Sequence, residues 1–536
     1  MNEPFILEGS DKLFLFQKED NMKKKVVSLL MAAAMTMTML AGCGSTNAGT
    51  TTSNTETKTE EAAPATTEEA TESTASGDVV TVRMMRNCFN VVPDSARTKE
   101  VQDAINTYIA DKINVQIELQ DISSNEYAEK GNLAIANNEV DLFWTASWLD
   151  TIGTKQLFAA NACKDITDLL PGTTLYDSMD SKQWEASKYA GKNYYIPVYK
   201  DNVEGYNVML RKDLVDKYGV DVASIKTLKD LTPALEAFSA EGLPYTYLTQ
   251  RTAMFYRYYI DSFDFFTGDS ASSWVAVDRD TDEVVNTVLS DEYKEFTTLM
   301  AEWAEAGYLS EDDATKTTND NTIQGDKWGV SWWTDIPNNA EANGRYNREV
   351  VMAKVTKNYM HTDSCLGSCY AIAGTASDEA AKAAIEFMGL LYTDKTLADM
   401  YTYGIEGTDF NYDADGYVEK VADASYNHSM WESANATVVT AESTSPYTAQ
   451  MYLDFNNGAE ISCANGFQFD KTPVEGAYTA CCDVMNEIGF ALENGAFPVD
   501  QVEDKIAEYE AALEEAGVND VIAEFQSQYD AWKATK

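Results

Sequence analysis

Basic residues are scarce in this chain. Its 536 residues hold 40 lysines and arginines against 87 aspartates and glutamates, a formal net charge of −47. Polyanions meet that field as repulsion, so nucleic acid is excluded as a partner. Histidine is scarcer still, with only His361 and His428, far apart. Of the eight cysteines, Cys365 and Cys369 sit four apart and Cys481-Cys482 are adjacent, with no second closely spaced pair to complete a zinc set. No metal and no other cofactor is expected. Seven cysteines follow Cys43, an odd number, so most read as buried thiols, with Cys365–Cys369 the one plausible bridge. Beyond residue 43 no run of about 18 apolar residues occurs, so no later segment is expected to span a membrane. The G-x-S-x-G, Walker and H-E-x-x-H patterns of common hydrolases are missing, and no internal repeat marks an adhesive or scaffolding array.

What is present begins at residue 22. Met22 is followed by Lys23–Lys25, an apolar run from Val26, and Leu40-Ala41-Gly42-Cys43. Positive charge holds the cytoplasmic side, the apolar stretch enters the export machinery, and small residues open the backbone to a peptidase. At about 14 residues the apolar part is short for a spanning helix, which needs roughly 20. Residues 22–42 therefore read as a signal peptide. Its last four positions resemble the lipobox of bacterial lipoproteins, which implies that Cys43 is lipidated and becomes the mature N-terminus. The expected location is the outer face of the bacterial cytoplasmic membrane, lipid-anchored. Residues 1–21, with acids at Glu3, Glu8, Asp11, Glu19 and Asp20, read as an extension ahead of the true start at Met22. Residues 43–78 carry the lipidated cysteine and a Ser/Thr/Ala/Glu-rich linker without an aromatic residue up to Gly77, a composition expected to stay disordered.

From Val79 the composition is globular, and about 458 residues exceed one ordinary core, so two lobes are expected. Val80–Met85, Val115–Leu119 and Val140–Trp144 read as strands, and Ser95–Lys112 and Asn125–Ala136 as helices. This βαβαβ order implies a mostly parallel sheet, whose ligands bind beyond the carboxyl ends of the strands. Those ends are Arg86–Asn90 and Trp144–Trp148.

After Tyr194-Tyr195-Ile196-Pro197, the passage Tyr206 to Gly219 (YNVMLRKDLVDKYG) resembles the first inter-lobe crossing of family-1 extracellular solute-binding proteins, the receptors of ABC importers. Ile225–Leu231, Gly367–Ala376, the helix Ala380–Asp394, Tyr403–Gly407, Gly466–Asp470 and Gln526–Lys533 continue the resemblance in order. The later motifs look like the LipO-type branch of these lipoproteins, with its own C-terminal domain. The resemblance implies an α/β, two-lobed, periplasmic-binding-protein-like (type II) fold with a hinge and a central ligand cleft. It places lobe one at 79–198 plus 363–402 and lobe two at 199–362 plus 403–536, including the C-terminal region. It also implies a monomeric receptor that passes a small solute to ABC permease subunits and is not an enzyme.

Sugars show flat apolar C–H faces ringed by hydroxyls, so an oligosaccharide calls for aromatic planes with polar groups beside them. Trp144, Ser147 and Trp148 follow a strand and are candidates at the mouth of lobe one. Trp332 and Trp333 follow a similar strand in lobe two. Phe89 and Asn90 end the first strand, Tyr199 and Asp201 lie at the hinge, and Arg251 is a further candidate. Each of these aromatics could equally be core. A peptide or another small polar solute remains open as the ligand, and an exported glycoside hydrolase with paired carboxylates is the remaining alternative. Asn411–Gly416 alternates oxygens like a calcium loop, but Ala422 stands where the closing Glu belongs, so a β-hairpin turn is the expectation. The segment Val499–Ala534 reads as packing helices with Leu513, Val521, Ile522 and Phe525 turned inward.

Changing Cys43→Ala is expected to leave an unprocessed or released protein that no longer partitions into detergent. Unchanged membrane association with the signal cleaved elsewhere would contradict the lipidated cysteine.

Overall fold

Asp94 opens the first helix of the domain. Its carboxylate accepts the Arg97 N–H at 2.8 Å, and Thr98, Val101, Ile105 and Ile109 then recur at helical spacing along the buried face of Ser95–Ile109. The computed structural model describes residues 78–241, 243, 254–265, 270–309, 328–334, 336–422, 424–426, 428–444 and 447–535. The proposed extension, the signal peptide, Cys43, the linker to Gly77, and Arg251 all lie outside the described residues.

The helix lies against a five-stranded sheet ordered Val115–Ser123, Val80–Cys88, Leu142–Thr145, Cys369–Ile372, Tyr195–Pro197. The first three strands are parallel, and Cys369–Ile372 enters from late in the chain, antiparallel to both of its neighbours. The first strand runs three residues beyond its sequence-predicted end, because Arg86, Asn87 and Cys88 still pair with Asp121, Ile122 and Ser123. The outer strand is protected: Asn106 and Gln102 on the helix accept the Ile117 and Leu119 N–H groups at 2.8 and 2.9 Å.

A second sheet is antiparallel throughout, ordered Val350–Lys354, Asn207–Arg211, Val330–Trp333. Each sheet has its own hydrophobic core. One gathers Val82, Leu142, Trp144, Tyr370 and Phe387; the other gathers Val208, Leu210, Phe255, Trp303, Tyr509 and Phe525. Tyr403, Phe410, Val418, Tyr426 and Val439 pack into the first core. This corrects the sequence-based placement of residues beyond 402 in lobe two, since these five side chains are buried in the core of the first sheet.

Two further expectations are resolved locally. Cys365 and Cys369 are unbridged and sit in different hydrophobic clusters, their thiols donating to the Gln183 and Thr145 carbonyls at 3.4 Å each. Phe410–Tyr412 and Val418–Lys420 form the hairpin, its turn held by Asp413 Oδ1, which accepts the Asp415 and Tyr417 N–H groups at 2.9 Å each. The closing segment divides into helices Val502–Ala516 and Val518–Lys533 at Gly517, whose φ of 97° favours glycine. Leu513, Val521 and Phe525 are buried, and Ile522 is half-buried. Among the described residues no helix is long and apolar enough to cross a membrane.

Glu493, at the end of helix Phe490–Glu493, is fully buried in the second lobe and accepts the Met254 and Phe255 N–H groups at 2.6 and 3.0 Å. Burial outweighs those bonds and pushes its carboxyl up to about 8. Between the ordinary glutamate value and about 8 the folded state therefore holds a proton that the unfolded chain has lost, so this group makes stability fall as pH rises through that window. Glu493→Gln is expected to flatten the decline of Tm between pH 5.5 and 8. An unchanged slope in thermal melts across that range would refute it.

Candidate ligand-binding cleft

The loop after strand Leu142–Thr145 is latched to the return segment between the lobes. Ser147 donates its N–H to Leu366 O at 2.9 Å and its hydroxyl to Asp363 O at 2.7 Å. Trp148 donates its indole N–H to Gly367 O at 2.7 Å, which fixes the ring while leaving the side chain 53% exposed. A half-exposed tryptophan held by its only donor is a preorganised apolar plane. Phe89 stands behind it at 6.1 Å between ring centroids, and is itself 4.8 Å from Trp431 and 5.3 Å from Trp144.

Trp144 is 1% exposed and donates to Ser368 Oγ at 2.9 Å, so it is a core ring supporting the cluster and not a cleft surface. Its ring is enclosed by Phe89, Tyr127 and Trp431, at 5.3, 6.1 and 6.1 Å between centroids. Trp333 is likewise buried, donating to Ile336 O at 3.1 Å within a cluster of Met209, Trp328, Ala342 and Val350. Trp332, on the opposite face of the same strand, is half-buried beneath the Arg257 guanidinium. Tyr199 is buried and bolts the crossing, donating its N–H to Ala434 O and accepting from Ala436 N at 3.1 and 2.8 Å. Asn90 is exposed, with its amide 3.3 Å from Ser429 Oγ.

A cavity of about 560 Å³ brings together Trp148, Lys200, Asp201, Glu341, Trp431 and Tyr447. The Lys200 ammonium lies 3.0 Å from Asp201, Tyr447 donates its hydroxyl to Glu341, and Glu442, also on the wall, pairs with Lys420 at 2.8 Å. Glu341 comes from helix Asn339–Tyr346, packed on the second sheet, whereas Trp148 and Trp431 belong to the first lobe. Trp431, Glu341, Glu442 and Tyr447 escaped the sequence reading because none stands directly at the end of a strand. Only the S-x-x-E box from Ser429 to Glu432, which caps the short helix Met430–Ser433, was a readable signal.

Cys88, Asp121 and His428 converge close enough to suggest a metal. The donor chemistry does not fit one. Arg86 holds both Asp121 oxygens at 2.9 Å, and Thr98 adds a third bond at 2.8 Å. Burial and Arg86 both oppose a charge on His428, yet bonds to Asp121, Cys88 and Glu432 push it up to about 10. The imidazole lies between two carboxylates, Nε2 at 3.4 Å from Asp121 and Nδ1 at 3.7 Å from Glu432, so both ring nitrogens already face partners. At the crossing, Glu204 accepts from the Tyr206 hydroxyl at 2.6 Å and pairs with His361 Nε2 at 2.7 Å. Despite burial, that pairing holds His361 above its ordinary value.

Residues 103–415 match the family described as bacterial extracellular solute-binding protein. The chain belongs to that family. Residues 463–534 match a domain of unknown function, DUF3502. A carbohydrate ABC transporter substrate-binding protein of Streptococcus pneumoniae is 22% identical over 480 residues, covering 86% of this chain and 92% of the relative. Among solved structures, an N-glycan transport solute-binding protein of S. pneumoniae superposes with a TM-score of 0.69 at 20% identity, over 85% of this chain and all of that one. A human-milk-oligosaccharide-binding solute-binding protein of Bifidobacterium longum infantis gives 0.55 at 15% identity, over 84% and 99% of the two chains. These likenesses show the two-lobed α/β fold. The family is that of a solute-binding component of transport.

The two tryptophans of the first-lobe loop are expected to separate in unfolding experiments. Trp144→Ala removes a fully covered ring and is expected to cost about 3–5 kcal/mol of stability, while Trp148→Ala leaves the unliganded melting temperature nearly unchanged. Equal losses would place Trp148 in the core.

Proposed function

We propose that this family member is a monomeric, lipid-anchored receptor on the outer face of the bacterial cytoplasmic membrane. It captures an oligosaccharide between its lobes and delivers it to ABC permease subunits. The observation that carries the reading is the fixed, half-exposed Trp148 plane above Phe89 and beside Trp431, in a cavity whose other walls are hydroxyl, carboxylate and ammonium groups. An apolar plane ringed by hydrogen-bonding groups is the complement of a pyranose. The names of the similar proteins, a carbohydrate substrate-binding protein and binders of N-glycans and milk oligosaccharides, support the same ligand class. In this reading Trp148, Trp431 and Asp201 contact the sugar from the first lobe and hinge, Glu341 and Trp332 from the second, with Phe89, Trp144 and Ser147 holding the platform.

Because the cavity draws on both lobes, ligand contacts all of them only when the lobes close, and ligand then biases the open–closed equilibrium by its differential affinity. A permease thereby distinguishes loaded from empty receptor. The chain does no chemistry on its sugar in this reading: Glu341 and Glu442 are each already engaged, by Tyr447 and Lys420. Incubating the purified protein with oligosaccharides is expected to yield no cleavage products.

A micromolar receptor needs about −8 kcal/mol, of which one aromatic platform supplies about 1–3 by area burial. Trp148→Ala is therefore expected to weaken oligosaccharide binding roughly ten- to a hundredfold by calorimetry. Sugar is also expected to compact the wild-type particle in solution scattering. Binding unaffected by the substitution would remove the platform from the site.

A further inference from the structure

Arg257, in the short helix Phe255–Tyr258, lies flat over Trp332, with its guanidinium carbon 3.9 Å from the ring centroid. Tyr256 and Tyr206 flank it at 5.3 and 5.7 Å. The side chain keeps partial exposure, but its Nε is covered and donates to nothing; the Trp332 indole N–H beneath it is covered and unpartnered as well. Glu204 is the carboxylate whose charge it feels, and both Glu204 oxygens are already taken, by the Tyr206 hydroxyl and by His361. Among the described residues, Arg257 has no ion pair.

Among the described residues, the other covered arginines are paired. Arg86 is bidentate with Asp121, and Arg211 is bidentate with Asp213. Stacking on Trp332 holds the Arg257 plane in place and Tyr256 takes one side-chain hydrogen bond, but the covered Nε stays without a partner, and covered donors without partners cost stability. Such an arrangement persists where something else completes it. The pair lies near the crossing, outside the lining of the 560 Å³ cavity: Trp332 pairs with Val208, two residues past Tyr206, and its strand leads toward the helix that carries Glu341.

We propose that Arg257, stacked on Trp332, is a ligand-binding residue of the second lobe that donates its planar fork to a pair of adjacent oxygen acceptors on the bound glycan. This rests on the receptor reading above and adds what the ligand presents to the second lobe. Two oxygens side by side occur as vicinal hydroxyls of a neutral sugar or as the carboxylate of a uronate. Lysine offers a point charge in place of a planar fork and does not reproduce that contact.

The test compares wild type with Arg257→Met and Arg257→Lys. Met retains apolar contact with the Trp332 face and deletes the unsatisfied donors. Thermal melts and calorimetry are run with neutral manno-oligosaccharides and with mannuronate oligosaccharides of the same length. Arg257→Met is expected to melt higher than wild type without ligand and to bind at least roughly tenfold more weakly; Arg257→Lys also loses affinity but gains no stability. A neutral source gives binding that salt barely alters, whereas a carboxylate source gives preference for the mannuronates and an affinity that falls with salt. If wild type binds and Arg257→Met binds equally well, or if Arg257→Met melts lower with affinity intact, the arginine is structural and the proposal fails. If wild type responds to no member of either series, the oligosaccharide reading fails, and this assignment falls with it.

Discussion

The Arg86–Asp121 pair is the interaction on which the aromatic-platform end of the first lobe depends. Both side chains are about 2% exposed or less, with 2.7 Å between charged atoms. Two charges withdrawn from water are stable only if every remaining donor and acceptor is met. Here they are: Arg86 Nη1 donates to the Tyr401 carbonyl and Tyr426 hydroxyl, and Asp121 also accepts from Thr98. The pair joins the ends of two parallel strands just before Phe89. Through the His428 imidazolium it reaches Glu432, whose carboxylate caps the helix carrying Trp431. The aromatic platform thus stands on a buried ionic network, and removing one member would leave an uncompensated charge costing about 3–5 kcal/mol.

Arg257 shows the opposite use of the same side chain. Arg86 spends its donors on holding the first lobe together. Arg257 is oriented by aromatic stacking while part of its hydrogen-bonding capacity stays unmet within the second lobe. Preorganised but unsatisfied donors are how a receptor gains more from ligand than from its own interior, because ordering costs are met before binding.

Between the lobes, hydrogen bonds at the crossing accompany a small apolar cluster of Ala186, Val203, Met360, Cys365 and Ala459. The Asn202 N–H donates to Asn456 at 3.0 Å, its amide donates to Gln183 and Val198 at 2.9 Å each, and Glu204 exchanges backbone hydrogen bonds with Tyr359 at 2.8 Å. One small apolar cluster, Ile336, Ala436 and Tyr452, adjoins the cavity. Hydrogen bonds concentrated in a few crossing residues, with the large cores kept separate, suit a hinge that bends without exposing either core.

The early strands and helices were legible because short-range periodicity dictates them: buried positions repeat every two residues from Val115 through Ile117 to Leu119 and every three or four in Ser95–Ile109. The hairpin at Asp413 was legible for the same local reason, as was the exposed Trp148, placed by the rule that ligands bind where strands end. Other features depend on contacts between residues hundreds of positions apart. Trp144 and Trp148 are four residues apart and chemically alike, yet burial divides them, because one lies in a central strand and the other in the loop beyond it. Cys365 and Cys369 are spaced for a bridge, yet each thiol faces a different cluster. The packing of 403–439 on the first core, the arrival of Trp431, Glu341 and Tyr447 at one cavity, and the lone guanidinium over Trp332 were fixed only in three dimensions. Sequence alone determined the charge, the expected export signal and the early strand and helix order, which need only composition or neighbouring residues, and its length and family resemblance pointed to the two-lobed class. Tertiary structure decided which aromatic rings are exposed and which charges are paired, because burial and ion pairing are set by the distant segments that come to surround a side chain.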